Sequence, residues 1–230
     1  MKFGNREEDG REERKTPFLT SNGVIKYMAA QSPSARESVL RSYKFPDPEG
    51  KAQANYYRPA LEAIRDYHAA GNEAKVLNAA IRGLQALRAG ASDAKLSKLE
   101  NNIRVLRCYH PQFGERKLAP LPHEPLVVTC EGVEIWLRPD LIASEGKRTR
   151  LIRFACGKDS IERKEQLASV HLNHVYGVEA GIQIGAADCA VFSIADGEAI
   201  QLSGSIPKFN AELKATMREV KRQWPHITRQ

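Results

Sequence analysis

The chain has 230 residues, 42% of them hydrophobic and 27% charged, and a formal net charge of +7. That apolar content excludes wholesale disorder, and the length supports a buried core without disulfide or metal staples. No run of about eighteen apolar residues occurs, so no membrane partner is expected, and the positive excess favours a polyanion through phosphate neutralisation.

Residues 1–16 alternate basic and acidic side chains with almost no apolar anchor, which predicts a mobile charged tail. The same segment lacks the apolar region of a secretory signal, and a cytoplasmic protein is expected. Residues 17–110 read as a helical region. A short helix is predicted from Thr20 to Gln31, capped by Thr20, Ser21 or Asn22. Ser32 and Pro33 then suit the cap and first turn of a helix running to Tyr43. A Pro/Gly loop follows over 44–50.

The segment 51–70 reads as a helix that is either kinked at Pro59 or begins near it, because proline removes a backbone donor. The next predicted helix runs from Asn72 to Gly90 and carries Val76, Leu77, Ala80, Ile81, Leu84 and Leu87. A third starts at Ser92 or Asp93, with Leu96, Leu99, Ile103 and Leu106 on one stripe. The short connections between the three suit antiparallel neighbours in a bundle. Residues 111–124 are rich in proline and are expected to be a linker to an α/β core over 125–230.

Within that core, alternating apolar runs from Leu126 to Phe154, separated by Glu131-Gly132 and a Ser144-to-Arg148 turn, predict an antiparallel meander forming a three-stranded platform. A helix is predicted over 159–176, entered through Asp159 or Ser160, and then a hairpin around Asp196-Gly197. The last helix, from Pro207 to about Trp224, carries Phe209, Leu213, Met217, Val220 and Trp224 as an apolar stripe, with Lys214, Arg218, Lys221 and Arg222 beside it. Trp136 and Trp224 are expected to anchor the core. Cys108, Cys130, Cys156 and Cys189 form no CxxC pair and are expected to be small buried hydrophobes rather than zinc or iron–sulfur ligands. His171 and His174 lie one turn apart, but with no third ligand they read as imidazoles at a core edge.

The Arg138-Pro139-Asp140-Leu141 step, followed by a strand and a helix carrying Gln166, resembles the core of the PD-(D/E)xK nuclease superfamily, in its RecB-like and Cas4-like branch. The resemblance covers about residues 125–205 and implies an α+β fold: a mixed sheet flanked by helices after the N-terminal helical region. In that branch Pro-Asp-Leu precedes a strand ending Asp-x-Lys-Thr-Gly and a helix with Gln-x-x-x-Tyr. Pro139-Asp140-Leu141 matches the first element, but Arg153 stands where the acid belongs, Ala155 where the lysine belongs, and Val170 where the tyrosine belongs.

One carboxylate beside an arginine is a weak Mg²⁺ site, so hydrolysis is expected to be lost or severely weakened and no cofactor is expected. Asp140 and Arg153 are also candidates for a simple ion pair across neighbouring strands. Should activity persist, Asp140 would hold Mg²⁺ or Mn²⁺ and Lys158 would replace the lysine, with Glu134, Glu145, Asp159 or Glu162 as migrated ligands. Arg138, Lys147, Arg148, Arg150, Arg153, Lys158, Arg163, Lys164 and Gln166, with Lys214, Arg218 and Lys221 on the last helix, are candidates for following a phosphate backbone. The resemblance implies a nucleic-acid partner, DNA first, and a role in DNA processing or phage defence. The alternatives are an active metal-dependent DNase and a structural subunit that meets a larger nuclease or helicase complex through its helical region.

Overall fold

The computed structural model describes residues 13–46, 56–159, 162–201 and 205–229. Its order is β1 (Phe18–Thr20), α1 (Ser21–Ala29), α2 (Pro33–Lys44), α3 (Arg58–Ala69), α4 (Ala74–Ala86), α5 (Asp93–Phe113), β2 (Ala119–Pro120) and β3 (Leu126–Cys130). Then come β4 (Val133–Leu137), β5 (Leu141–Glu145), β6 (Arg148–Ala155), α6 (Arg163–Glu179), β7 (Cys189–Ser193), β8 (Glu198–Gln201) and α7 (Ile206–Gln223). The fold is α+β. No helix among the described residues is long and apolar enough to cross a membrane.

Local chemistry sets most of these boundaries. Thr20 Oγ1 accepts the Gly23 N–H at 3.3 Å and Ser32 Oγ accepts that of Ala35 at 3.2 Å, so α1 and α2 start at their capping hydroxyls. Pro59 falls in the first turn of α3, where its missing N–H costs nothing, and so the helix begins there rather than kinking. Residues 47–55, which hold the rest of the expected loop and helix start, lie outside the described residues. α6 starts at Arg163 with Glu162 as a cap that makes no side-chain bond, later than an entry through Asp159; the other expected cap, Ser160, lies outside the described residues.

Pro139 overturns the three-stranded platform. It carries no N–H to donate to a ladder, and the strand breaks there, with β4 ending at Leu137 and β5 beginning at Leu141. The expected meander is instead two hairpins in two sheets. β3 and β4 pair antiparallel, and β1 joins the other side of β4 in parallel, giving the order β1-β4-β3. β5 and β6 pair antiparallel inside a mixed sheet of order β2-β5-β6-β7-β8, in which β6 and β7 run parallel. The parallel pair needs a crossover, and α6 supplies it by packing on both strands.

The central strands of the five-stranded sheet are covered on both faces. On one side Ile142, Leu151, Cys189, Val191 and Ile200 share a core with Val133, Ile135 and Leu137 of the small sheet, with α1 and α6, and with the whole predicted stripe of α7 through Trp224. On the other, Leu141, Ala143, Ile152, Phe154, Ala190 and Phe192 meet Ala60, Ile64, Leu77, Leu99, Ile103, Leu106 and Tyr109 from α3–α5. Strands covered on both sides read as continuous apolar runs, as β7 does. Leu87 departs from its predicted stripe and is exposed, because α4 ends one residue before it.

The expected divisions of the chain also shift. Pro111 lies inside α5, whose last turn is held by Phe113 stacked on Phe192 at 4.5 Å, and Leu118 is buried. The 111–124 segment is therefore anchored to the fold at points while most of it is exposed: β2 pairs with β5, and the Leu121 N–H reaches Ile142 O at 2.7 Å. The helical region splits likewise, with α1 and α2 in the first core and α3–α5 in the second. The charged N-terminal segment is pinned from Glu13 onward, where Glu13 pairs with Lys44 at 3.3 Å and Trp224 Nε1 donates to Arg14 O at 3.1 Å. Residues 1–12 lie outside the described residues.

Candidate functional site

Asp140 sits where the β5–β6 ladder stops. Its own N–H donates to Ile152 O at 3.0 Å, and its carboxylate accepts the Phe154 N–H at 2.8 Å. Pro139 O is already taken by His123 Nε2 at 3.0 Å, so the Asp140 side chain replaces a backbone acceptor that the proline step withdraws. Burial raises the pKa of Asp140; Arg153 opposes that rise most, followed by the Phe154 N–H, Arg138 and His123.

Arg153 does not form the expected ion pair with Asp140. Its guanidinium donates to Asn22 Oδ1 at the start of α1, and its charge reaches Asp140 only through space. Cys156, just past β6, is buried; burial pushes its thiol far up and the Asp140 charge adds to that. Arg104 of α5 donates to Cys156 O at 2.5 Å and Gly157 O at 3.0 Å, tying the helical layer to the same end of the sheet. Among the described residues no group of three or more His, Cys, Asp or Glu could hold a metal ion.

None of the proposed migrated acids is drawn to Asp140. Glu145 lies at the far end of β5, about 16 Å away at the ordinary rise per residue. It is clasped there by Arg116 at 2.6 Å and Arg150 at 2.8 Å. Glu134 faces solvent from β4, and Asp159 and Glu162 are exposed.

The candidate cations fall in separate places. Arg138 and Arg153 flank Asp140, and Lys158 is exposed just beyond the end of β6. Lys164 donates to Met28 O at 2.8 Å, closing the C-terminus of α1, while Arg163 donates to the buried Gln166 side chain at 3.5 Å. Lys147 and Arg148 lie at the opposite end of the β5–β6 hairpin, where Arg148 is 3.9 Å from Asp188. Lys214, Arg218 and Lys221 surround the β3–β4 turn, and Arg218 pairs with Glu131 at 3.1 Å.

Other predicted residues resolve simply. His171 is buried and stacks flat on Phe209 with centroids 4.1 Å apart, and burial first, then His174, lowers its pKa. Cys156 and Cys189 are buried, whereas Cys108 and Cys130 are half-buried. Trp224 is buried, but Trp136 is 38% exposed and is no core anchor. His123 and Arg104 carry no sequence signal for this site, and Asn22 only that of a helix-cap candidate, since each reaches it from a segment remote in sequence. Trp136 had a signal: it alternates with the buried Val133, Ile135 and Leu137 and shares its parity with Glu134 and Arg138.

No protein-family model matches the sequence, and no curated protein matches it.

Proposed function

We propose that the protein binds nucleic acid at the Asp140 end of the large sheet, on a PD-(D/E)xK-like core, and does not cut it. The observation that carries this is the company Asp140 keeps: two arginines, an imidazole and a backbone N–H, where the described residues form no group of three or more His, Cys, Asp or Glu that could hold a metal ion. Magnesium binding draws on several oxygen ligands, and a lone carboxylate facing guanidinium groups supplies too little charge. The same cations suit a phosphate backbone. What supports the resemblance is coarse: a mixed sheet flanked by helices, which it implies. DNA as the preferred acid, and a place in DNA processing or phage defence, rest on that resemblance alone.

Binding to labelled DNA, measured across a salt series, tests this. Affinity falls steeply with salt, and Arg138→Glu with Arg153→Glu weakens it at least tenfold at low salt; unchanged binding removes these residues from the interface. Incubation with Mg²⁺ or Mn²⁺ leaves plasmid and linear DNA intact. Cleavage that disappears in Asp140→Ala would establish the active DNase instead. Loss of a protein partner on disrupting the exposed face of α4, with DNA binding absent throughout, would favour the structural-subunit role.

A further inference from the structure

The three-stranded sheet buries one face and leaves part of the other bare. Along β4 the side chains alternate, with Val133, Ile135 and Leu137 in the core and Glu134 and Trp136 outside; the alternation continues to the exposed Arg138. Trp136 lies on the central strand between Thr20 and Val127, its register partners. Val127 is 55% exposed and Trp136 38%. The β1 side of this sheet is sheltered, because Phe18 meets Tyr43 at 6.5 Å and Thr20 Oγ1 bonds the Tyr43 hydroxyl at 2.5 Å. The open part is therefore an indole and a valine side by side, with a guanidinium next along the strand.

This patch adjoins the cations of the Asp140 site. Ser21 Oγ donates to Trp136 O at 3.3 Å, and the next residue, Asn22, holds the Arg153 guanidinium. The Trp136 backbone and the Arg153 guanidinium are thus held by consecutive residues of α1, and Arg138 follows Trp136 on the same face of the strand. An exposed indole flanked by phosphate-seeking groups is the composition of a single-strand binding surface, where bases stack on aromatic rings while cations follow the backbone. A duplex hides its base faces and offers nothing for the indole to stack on. Glu134 lies on the same face away from Arg138 and repels phosphate, which sets the path of a strand from Trp136 toward Arg138 and Arg153.

We propose that Trp136 is a base-stacking residue and that the nucleic acid bound here is single-stranded. This rests on the nucleic-acid reading above and adds its substrate class. The probes are an oligothymidylate of about twenty nucleotides, long enough to span one such surface, and a mixed-sequence duplex of equal length. The oligothymidylate binds at least tenfold more tightly than the duplex. Trp136→Ala weakens it about tenfold or more, Trp136→Phe retains most of the affinity, and neither variant alters duplex binding. The chain has two tryptophans, and Trp224 is only 2% exposed, so quenching of the indole fluorescence on binding reports Trp136. Circular dichroism confirms that both variants fold.

Equal affinity of wild type and Trp136→Ala for the oligothymidylate overturns the stacking role while leaving duplex binding to support the broader reading. Failure of both probes to bind at low salt ends both. Should Trp136→Ala abolish self-association in sedimentation velocity without changing oligonucleotide affinity, the patch is a protein interface and the proposal is wrong.

Discussion

Strand β5 carries a carboxylate near each end, and the protein treats them oppositely. Glu145 sits in a network in which Arg116 and Arg150 grip its two oxygens and Arg150 continues to Asp188 at 3.2 Å. Burial pushes its pKa up, but the two arginines outweigh that and hold it below the usual 4.5. Asp140 feels two arginines as well, but they do not touch it; burial wins, and its pKa lies above the usual 3.8. Contact, more than the number of nearby cations, decides which carboxylate is a committed anion. Glu145 is thereby spent on structure, whereas the cations around Asp140 keep charge to offer a ligand.

The sharpest way to break this contrast is Glu145→Ala. It strips Arg116 of its carboxylate partner and leaves Arg150 with Asp188 and Ala187 O alone, in side chains that are only 28% and 15% exposed. The expected loss is about 2 kcal/mol in urea denaturation, less than the roughly 3–5 kcal/mol of a fully buried pair because each partner keeps some water. A change within about 0.5 kcal/mol would mean that the network carries no stability.

Asp140→Ala comes next. It removes the acceptor of the Phe154 N–H at a strand end where Pro139 O is already used, an unsatisfied donor worth about 1–2 kcal/mol. Asp140→Asn keeps an oxygen in place and costs less than about 1 kcal/mol, so the two variants separate the hydrogen bond from the charge. If Asn destabilises as much as Ala, the charge matters more than the geometry indicates.

The same contrast explains what could be read from the sequence. Helix starts at Thr20 and Ser32, the α7 stripe and the Glu131-Gly132 turn follow from short-range rules, and the turn does have positive φ at both residues, 52° and 82°. The Asp140 step was legible as a motif, but its neighbours were not. Asn22 and His123 arrive by long-range packing of α1 and the β2–β3 connection, which no local pattern encodes. The break at Pro139 was visible as a missing donor; that the two hairpins would enter different sheets depended on which core each apolar face could reach. Val133, Ile135 and Leu137 fit under α1 and α7, whereas Leu141 and Ala143 fit against α3–α5. Trp136 departs from the core because the apolar run it belongs to alternates, and its parity places it with Glu134 and Arg138.

The smallest expected effect is a difference in pH dependence, and its sign is the test. Glu145 has a folded pKa below 4.5, so its contribution is complete above that value and is lost as the pH falls through the folded value. The advantage of wild type over Glu145→Gln therefore shrinks with acidification below pH 4.5. Asp140 has a folded pKa above 3.8, so the folded state favours its proton; that contribution is present below 3.8 and is lost as the pH rises through the folded value. Stability of Asp140→Asn relative to wild type therefore rises with pH above 3.8 and levels off once Asp140 is ionised in both states. Urea midpoints taken through the acid range give these differences with the background titration shared by all three proteins cancelled. If the advantage of wild type over Asp140→Asn instead grows with pH, as its advantage over Glu145→Gln does, Arg153 and Arg138 hold Asp140 as firmly as Arg116 and Arg150 hold Glu145. The two ends of β5 would then be alike, and the cations beside Asp140 would have no charge left over for a phosphate.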